Sequence, residues 1–241
     1  MSEKERRTEI FVKGLKDGLP IGLGYFSVAF SLGIVAIDAG LDAVQGFFAS
    51  ITVIASAGEY AGFLSIAASA SYIELALIMF VTNARYMLMA CAMSQRFEPG
   101  LKMHHRFLMG FTITDEIFAV TIAQPGYLNP WYTYGVSVAS VPLWAIGTSI
   151  GIIMGDILPV SVVSALSVAL YGMFIAVIVP PSRKSRIIAG IVIICFVSSY
   201  VFSVIPSLEG ITAGTRTIIL TVLISALAAV LFPVKEESAD A

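Results

Sequence analysis

Six polar side chains stand where an apolar chain can least accommodate them. Glu59, Glu74, Asn83, Arg85, Asp115 and Glu116 all fall inside long hydrophobic runs. An ionised side chain at the centre of a membrane helix costs about 2.5–3.5 kcal/mol even on insertion scales, so each needs a partner or a water-filled cavity. Arg85 can offset one carboxylate, so some of the acids must be protonated or exchange partners. Glu59 lies in Ser56-Ala57-Gly58-Glu59-Tyr60, a run of mostly small residues where a helix would break and its freed backbone groups would line a cavity. That suits a substrate or proton site; a purely structural ion pair with Arg85 is the competing reading.

Thr114-Asp115-Glu116 is the second candidate. Adjacent acids on a helix diverge by about 100°, so one can face a pathway while the other caps or bridges. Asn83 and Arg85 lie about 200° apart on a regular helix and need separate partners or local unwinding. Asp38 and Asp156 end their runs and read as interfacial caps. Gly147, Gly151 and Gly155, like Gly18 and Gly22, form small-residue stripes suited to close helix packing. The two histidines, His104 and His105, are adjacent in a basic loop and read as solvated or as lipid-headgroup contacts. Cys91 and Cys195 sit in apolar runs, which argues against a disulfide framework or a thiol metal site. No Walker-type loop, metal-ligand set or paired catalytic acids appear, so neither an enzyme nor a cofactor is expected.

The elements that carry these residues are membrane helices. The 241 residues are 58% hydrophobic and 12% charged, with a mean hydropathy of +0.91. A soluble globule of that composition could not cover its surface. A net charge of −2 leaves no basic surplus for nucleic acid. Apolar stretches run over about 19–37, 43–70, 71–95, 107–124, 133–155, 160–181, 187–205 and 217–233. The first begins too late and runs too long for a removable signal peptide. Ahead of it, residues 1–18 carry Lys4, Arg6, Arg7, Lys13 and Lys16 and read as a cytoplasmic amphipathic helix.

Stretch 43–70 is long for one crossing and short for two. Basic clusters mark the cytoplasmic loops: the N-terminal segment, then Arg96, Lys102 and Arg106, then Arg183, Lys184 and Arg186. All three fall on one side if 43–70 and 160–181 are re-entrant pairs. Tyr127, Trp131 and Tyr132 then form an outer aromatic belt; seven or eight plain crossings are the alternatives. An octapeptide, Ser31-Leu32-Gly33-Ile34-Val35-Ala36-Ile37-Asp38, is echoed by Ser149-Ile150-Gly151-Ile152-Ile153-Met154-Gly155-Asp156. The expected fold is therefore an all-α polytopic membrane protein with inverted-topology repeats and two broken or re-entrant segments. Its parts are a cytoplasmic segment (1–18), two membrane halves (19–130 and 131–233) and a cytoplasmic tail (234–241).

Five motifs recur in an order that resembles one family. They are Gly18-Leu19-Pro20-Ile21-Gly22, Ala57-Gly58-Glu59-Tyr60-Ala61-Gly62, Asn83-Ala84-Arg85-Tyr86-Met87-Leu88-Met89, Thr114-Asp115-Glu116 and Trp144-Ala145-Ile146-Gly147-Thr148. Together they are similar to the AzlC-type exporters of branched-chain amino acids, over about residues 14–205. The resemblance implies efflux of small hydrophobic amino acids across the plasma membrane, without a cofactor and with a small AzlD-type membrane subunit as partner. Matching positions are Pro20, Gly58, Asn83, Arg85, Thr114, Asp115, Glu116 and Trp144. Where the family often carries Gln-Phe, this chain has Glu59-Tyr60, which adds an ionisable group and puts leucine-like substrates in doubt. Substrate contacts are expected at Pro20, Gly58, Glu59, Tyr60, Asn83 and Arg85, and proton coupling or the pathway at Glu59, Thr114, Asp115 and Glu116. A small-solute channel and a non-transporting membrane subunit are the competing classes, and homo-oligomerisation stays open.

Overall fold

The computed structural model describes residues 3–155, 181–205 and 213–232, and between them 157–159, 161, 162, 168, 175, 178 and 179. Most of the 160–181 stretch, Asp156 and the 234–241 tail lie outside the described residues. The described residues are helical: α1 (Glu3–Asp38), α2 (Ala43–Val53), α3 (Ser56–Ala67), α4 (Tyr72–Ser94), α5 (Met103–Phe111), α6 (Asp115–Ile122), α7 (Pro130–Gly155), α8 (Arg186–Val204) and α9 (Ala213–Leu231). Four of them, α1, α4, α7 and α8, are long and apolar enough to cross a membrane. The basic N-terminal segment is continuous with the first span in the single helix α1.

Two compact units are formed, Met1–Ser69 with Thr82–Leu170 and Ala70–Val81 with Tyr171–Ala241. In the second, α8 packs on α9 and Thr215 donates to Glu74 Oε1 (3.2 Å), which answers one of the six intramembrane polar groups.

The first unit is built on α1 and α7, lying backbone against backbone. Gly14 meets Tyr132 and Gly135, Gly18 meets Val136, and Gly22 meets Ala139 and Ser140. Gly147 meets Phe26, Gly151 meets Phe30, and Gly33 meets Thr148 and Gly151. The partners rise together in number, so the helices run parallel. Gly33 and Gly151 hold equivalent places in the two copies of the octapeptide and face each other. This corrects the expected inversion of the two membrane halves, because their first helices point the same way. Small residues one turn apart on both helices allow the parallel approach.

Inversion exists elsewhere, between two helical hairpins. Helix α2 enters beside the end of α7: the Ala43 carbonyl accepts from Ser149 Oγ (2.9 Å), Gly46 meets Ile152, and Ser50 Oγ lies 2.7 Å from Thr148 Oγ1. An Asp42–Gln45 capping box starts it. It stops at Ile54, whose left-handed conformation (φ 47°) is costly for a β-branched residue. Burial in one cluster with Ile117, Tyr132, Val136 and Val141 holds it there. Helix α3 then turns back, so that Glu59 reaches the level of Trp144. The break therefore falls at Ile54-Ala55, ahead of the Ser56–Tyr60 run expected to contain it. Gly58 serves close approach instead, since a Cβ there would come within 2.9 Å of the Asn83 amide.

Helices α5 and α6 form the opposing hairpin, and stretch 107–124 is not one crossing. His105 Nδ1 lies 2.6 Å from Tyr134 Oη near the start of α7, and Thr112 at the tip accepts from Ser137 (2.9 Å). Beyond the tip, Ile117 shares a buried cluster with Val136, and Gln124 is back beside Lys13, whose Nζ donates to its Oε1 (2.8 Å). Thr112 ends α5 and Thr114 caps α6, two hydroxyl residues that bond the backbone on either side of the break, Thr112 to the Leu108 carbonyl and Thr114 to the Ile117 N–H. A second correction follows. Trp131 lies under Arg7 and Tyr132 under Lys13, so the aromatic loop shares an end with the basic N-terminal segment and is no opposite belt. Arg96 joins that end by donating to the Gln124 and Gly126 carbonyls.

The α1–α7 contact makes a testable demand. In Gly151→Ala the new Cβ runs into the Phe30 carbonyl oxygen, a backbone atom that can move only with its helix. Overpacking of this kind costs roughly 1–3 kcal/mol. Thermal unfolding in detergent should show that loss for Gly151→Ala and none for Gly24→Ala, where the Cβ meets nothing within 4 Å.

Candidate functional site

The tips of the two hairpins meet. Ile54, just before α3, and Ile117, in the first turn of α6, share one buried cluster. Both half-helices therefore begin in the middle of the unit, and both begin with acids: Glu59 in α3, Asp115 and Glu116 in α6. A carboxylate in a first turn is favoured by the partial positive charge of the helix N-terminus.

Glu59 is 2% exposed. Its Oε1 accepts from the Trp144 indole N–H (2.5 Å) and its Oε2 from the Ser50 hydroxyl (2.8 Å). Thr148 lies 2.7 Å from Ser50 and extends the chain of hydroxyls toward the end of α7. Arg85 is committed elsewhere: its Nη1 is 2.8 Å from Asp115 Oδ2, with both side chains more than a third exposed. Its guanidinium also lies over the Tyr86 ring, 5.1 Å from the centroid.

Tyr25 joins the two sets of acids. Its hydroxyl bonds Thr114 and donates to Glu116 Oε2 (2.7 Å), while its ring packs edge-on against Trp144 with centroids 5.3 Å apart. Contact is thus continuous from Glu59 through Trp144 and Tyr25 to Thr114 and Glu116. Asp115 and Glu116 diverge as adjacent helical residues must, one to Arg85 and the other to Tyr25. Asn83 and Arg85 diverge likewise, Asn83 against Gly58 of α3 and Arg85 toward α6, so one stretch of α4 addresses both half-helices.

Seven of the nine expected residues gather here: Gly58, Glu59, Asn83, Arg85, Thr114, Asp115 and Glu116. Tyr60 follows Glu59 half-buried in α3, and Pro20 is exposed on α1. Tyr25 and Ser50 escaped the sequence reading, and Thr148 entered it only as the last residue of the Trp144 motif, with no role assigned. The signal for Tyr25 is weak: a hydroxyl in an apolar span that needs a partner when buried. Ser50 and Thr148 look like any small residues in a packing stripe.

Fold and site define a multi-pass helical membrane protein with two opposed half-helix hairpins meeting at a buried carboxylate. The chain belongs to the AzlC family, whose model, described as AzlC protein, matches residues 20–158 and so takes in every residue of this cluster. It is 28% identical over 187 residues to an uncharacterized membrane protein of Archaeoglobus fulgidus, covering 77% of this chain and 82% of that one. It is 30% identical over 150 residues to the inner membrane protein YgaZ of Escherichia coli, covering 61% of each. A Helicobacter pylori membrane protein is 26% identical over 153 residues, 61% of this chain and 66% of its own length. The chain thus spans less than two thirds of the latter two relatives. No solved structure matches.

Trp144→Phe leaves Glu59 Oε1 without its donor, at a cost of about 1.5–3 kcal/mol for a hydrogen bond to a charged group. In a double-mutant cycle with Glu59→Leu, the loss in the double mutant should fall short of the sum of the two single losses by at least about 1 kcal/mol in denaturant unfolding. Additive losses would mean that the indole and the carboxylate do not interact.

Proposed function

We propose that this protein is a secondary transporter that exports small hydrophobic amino acids, branched-chain ones among them, with proton exchange at Glu59. The observation that carries the reading is the position of Glu59, enclosed where two broken helices meet and held by neutral donors. A carboxyl group so held can take up and release a proton without breaking an ion pair. Broken helices at mid-depth are also a recurrent way to bind a zwitterion. Ala55 gives α3 no side-chain cap, so the amides of its first turn, beside Asn83, suit a substrate carboxylate. Asp115 and Glu116 suit the ammonium, and the surrounding apolar side chains suit an aliphatic group. In this reading the protein lies in the plasma membrane with the basic end of α1 inside, works with a small AzlD-type subunit, and performs no covalent chemistry.

Opposed hairpins also favour a second reading, a small-solute channel. Counterflow of labelled leucine, isoleucine, valine and methionine in proteoliposomes separates the two. Saturable exchange is expected, with and without the small subunit compared; flux linear in concentration would mean a channel. Glu59→Gln should insert and fold normally and flatten the pH dependence of exchange between about pH 5.5 and about pH 8. An unchanged profile would remove Glu59 from proton coupling.

A further inference from the structure

A second cluster, at the end of the first unit where α1 and α7 begin, plays no part in the transport reading. The His105 ring lies 4.2 Å from that of His104 and 6.5 Å from that of Trp131, and Arg7 covers Trp131 at 5.7 Å. Lys102 is the N-cap of α5 and offers the helix no side-chain cap, and Arg106 sits one turn on, over Phe97. Lys102, His104 and Arg106 are exposed. His105, ahead of the apolar run, has its pKa pushed below the usual histidine range by burial and then by His104, Lys102 and Arg7, so the positive charge converges on one place.

From this basic end an apolar stripe runs along α5. Met103, Phe107 and Phe111 stand one turn apart, 77%, 70% and 49% exposed. Cations, uncapped helical amides and interfacial aromatic rings at one end, with an open apolar track leading inward, match the two halves of a phospholipid. Basic side chains near a leaflet attract anionic lipid by about 1 kcal/mol each, and a helix N-terminus binds phosphate through its free N–H groups.

The geometry points to a binding site for an anionic phospholipid of the surrounding bilayer at the base of the α5–α6 hairpin. Its phosphate lies among Lys102, His104 and Arg106, and one acyl chain lies along Met103, Phe107 and Phe111. Helix α6 with its first-turn acids follows directly on α5, so the lipid braces the hairpin that carries Asp115 and Glu116. This holds whether or not the solute is an amino acid.

The test is lipid retention by the full chain in mild detergent, read by native mass spectrometry with dioleoylphosphatidylglycerol and dioleoylphosphatidylcholine. The native protein should prefer the phosphatidylglycerol by about tenfold. The triple variant Lys102→Gln, His104→Gln, Arg106→Gln should lose the preference, while Arg183→Gln with Lys184→Gln, which likewise removes one Lys and one Arg, should keep it. Phe107→Gln with Phe111→Gln leaves every cation in place and should also weaken retention, which keeps the test decisive if the triple variant misfolds. Equal retention of the two lipids, equal loss in the two basic variants, or displacement of the lipid by millimolar inorganic phosphate would overturn the assignment.

Discussion

Backbone contact between α1 and α7 is the constraint on which the rest of the first unit depends. Two helices can touch at this distance only where at least one of them lacks a Cβ, and the close approaches recur along the length of both, from Gly14 against Gly135 to Gly33 against Gly151. In a membrane no hydrophobic force distinguishes a neighbouring helix from lipid, so packing of this closeness is what makes association favourable. The paired helices offer a continuous wall, and the hairpins bond directly to it. Ser50 approaches α7 from one end, Ser137 of α7 holds Thr112 from the other, and Tyr25 of α1 reaches across to α6.

Hairpins of half-length helices are tolerated at depth only when their freed backbone groups are buried in protein or line a cavity. Each tip answers this differently. At Thr114 a side-chain hydroxyl takes the Ile117 N–H. At Ile54 the chain reverses through a left-handed isoleucine, with its N–H bonded back to the Ser50 carbonyl, and Ala55 gives the half-helix that follows no side-chain cap of its own. The uncapped terminus is the one beside Glu59 and Asn83.

The acids show how a shared chemical type becomes two environments. Glu59 is enclosed and meets an indole N–H and a hydroxyl, whereas Asp115 is partly exposed and meets a guanidinium. Side chains in contact join the two environments. Trp144 and Tyr25 provide that contact, Trp144 holding Glu59 by its N–H and Tyr25 holding Thr114 and Glu116 by its hydroxyl.

The sequence by itself determined the membrane class, the all-helical fold, the small-residue stripes and most members of the polar cluster. Each of these depends on composition or on local spacing: too few charges for a soluble surface, glycines one turn apart, acids where acids are costly. It also placed a helix interruption inside 43–70 to within a few residues. Tertiary structure alone decided the direction in which α1 and α7 pair, the second interruption at Thr112–Thr114, the end to which the Tyr127–Tyr132 loop belongs and the partners of Glu59. A glycine stripe is compatible with parallel and antiparallel neighbours alike. Thr-Ile-Thr in an apolar run reads as helix until Tyr25 and Ser137 engage its hydroxyls. Arg85 could have met any acid at its depth, and only the fold put Asp115, rather than Glu59, within 2.8 Å of it. Direction, depth and partner choice are properties of contacts between residues far apart in the chain, which local pattern does not encode.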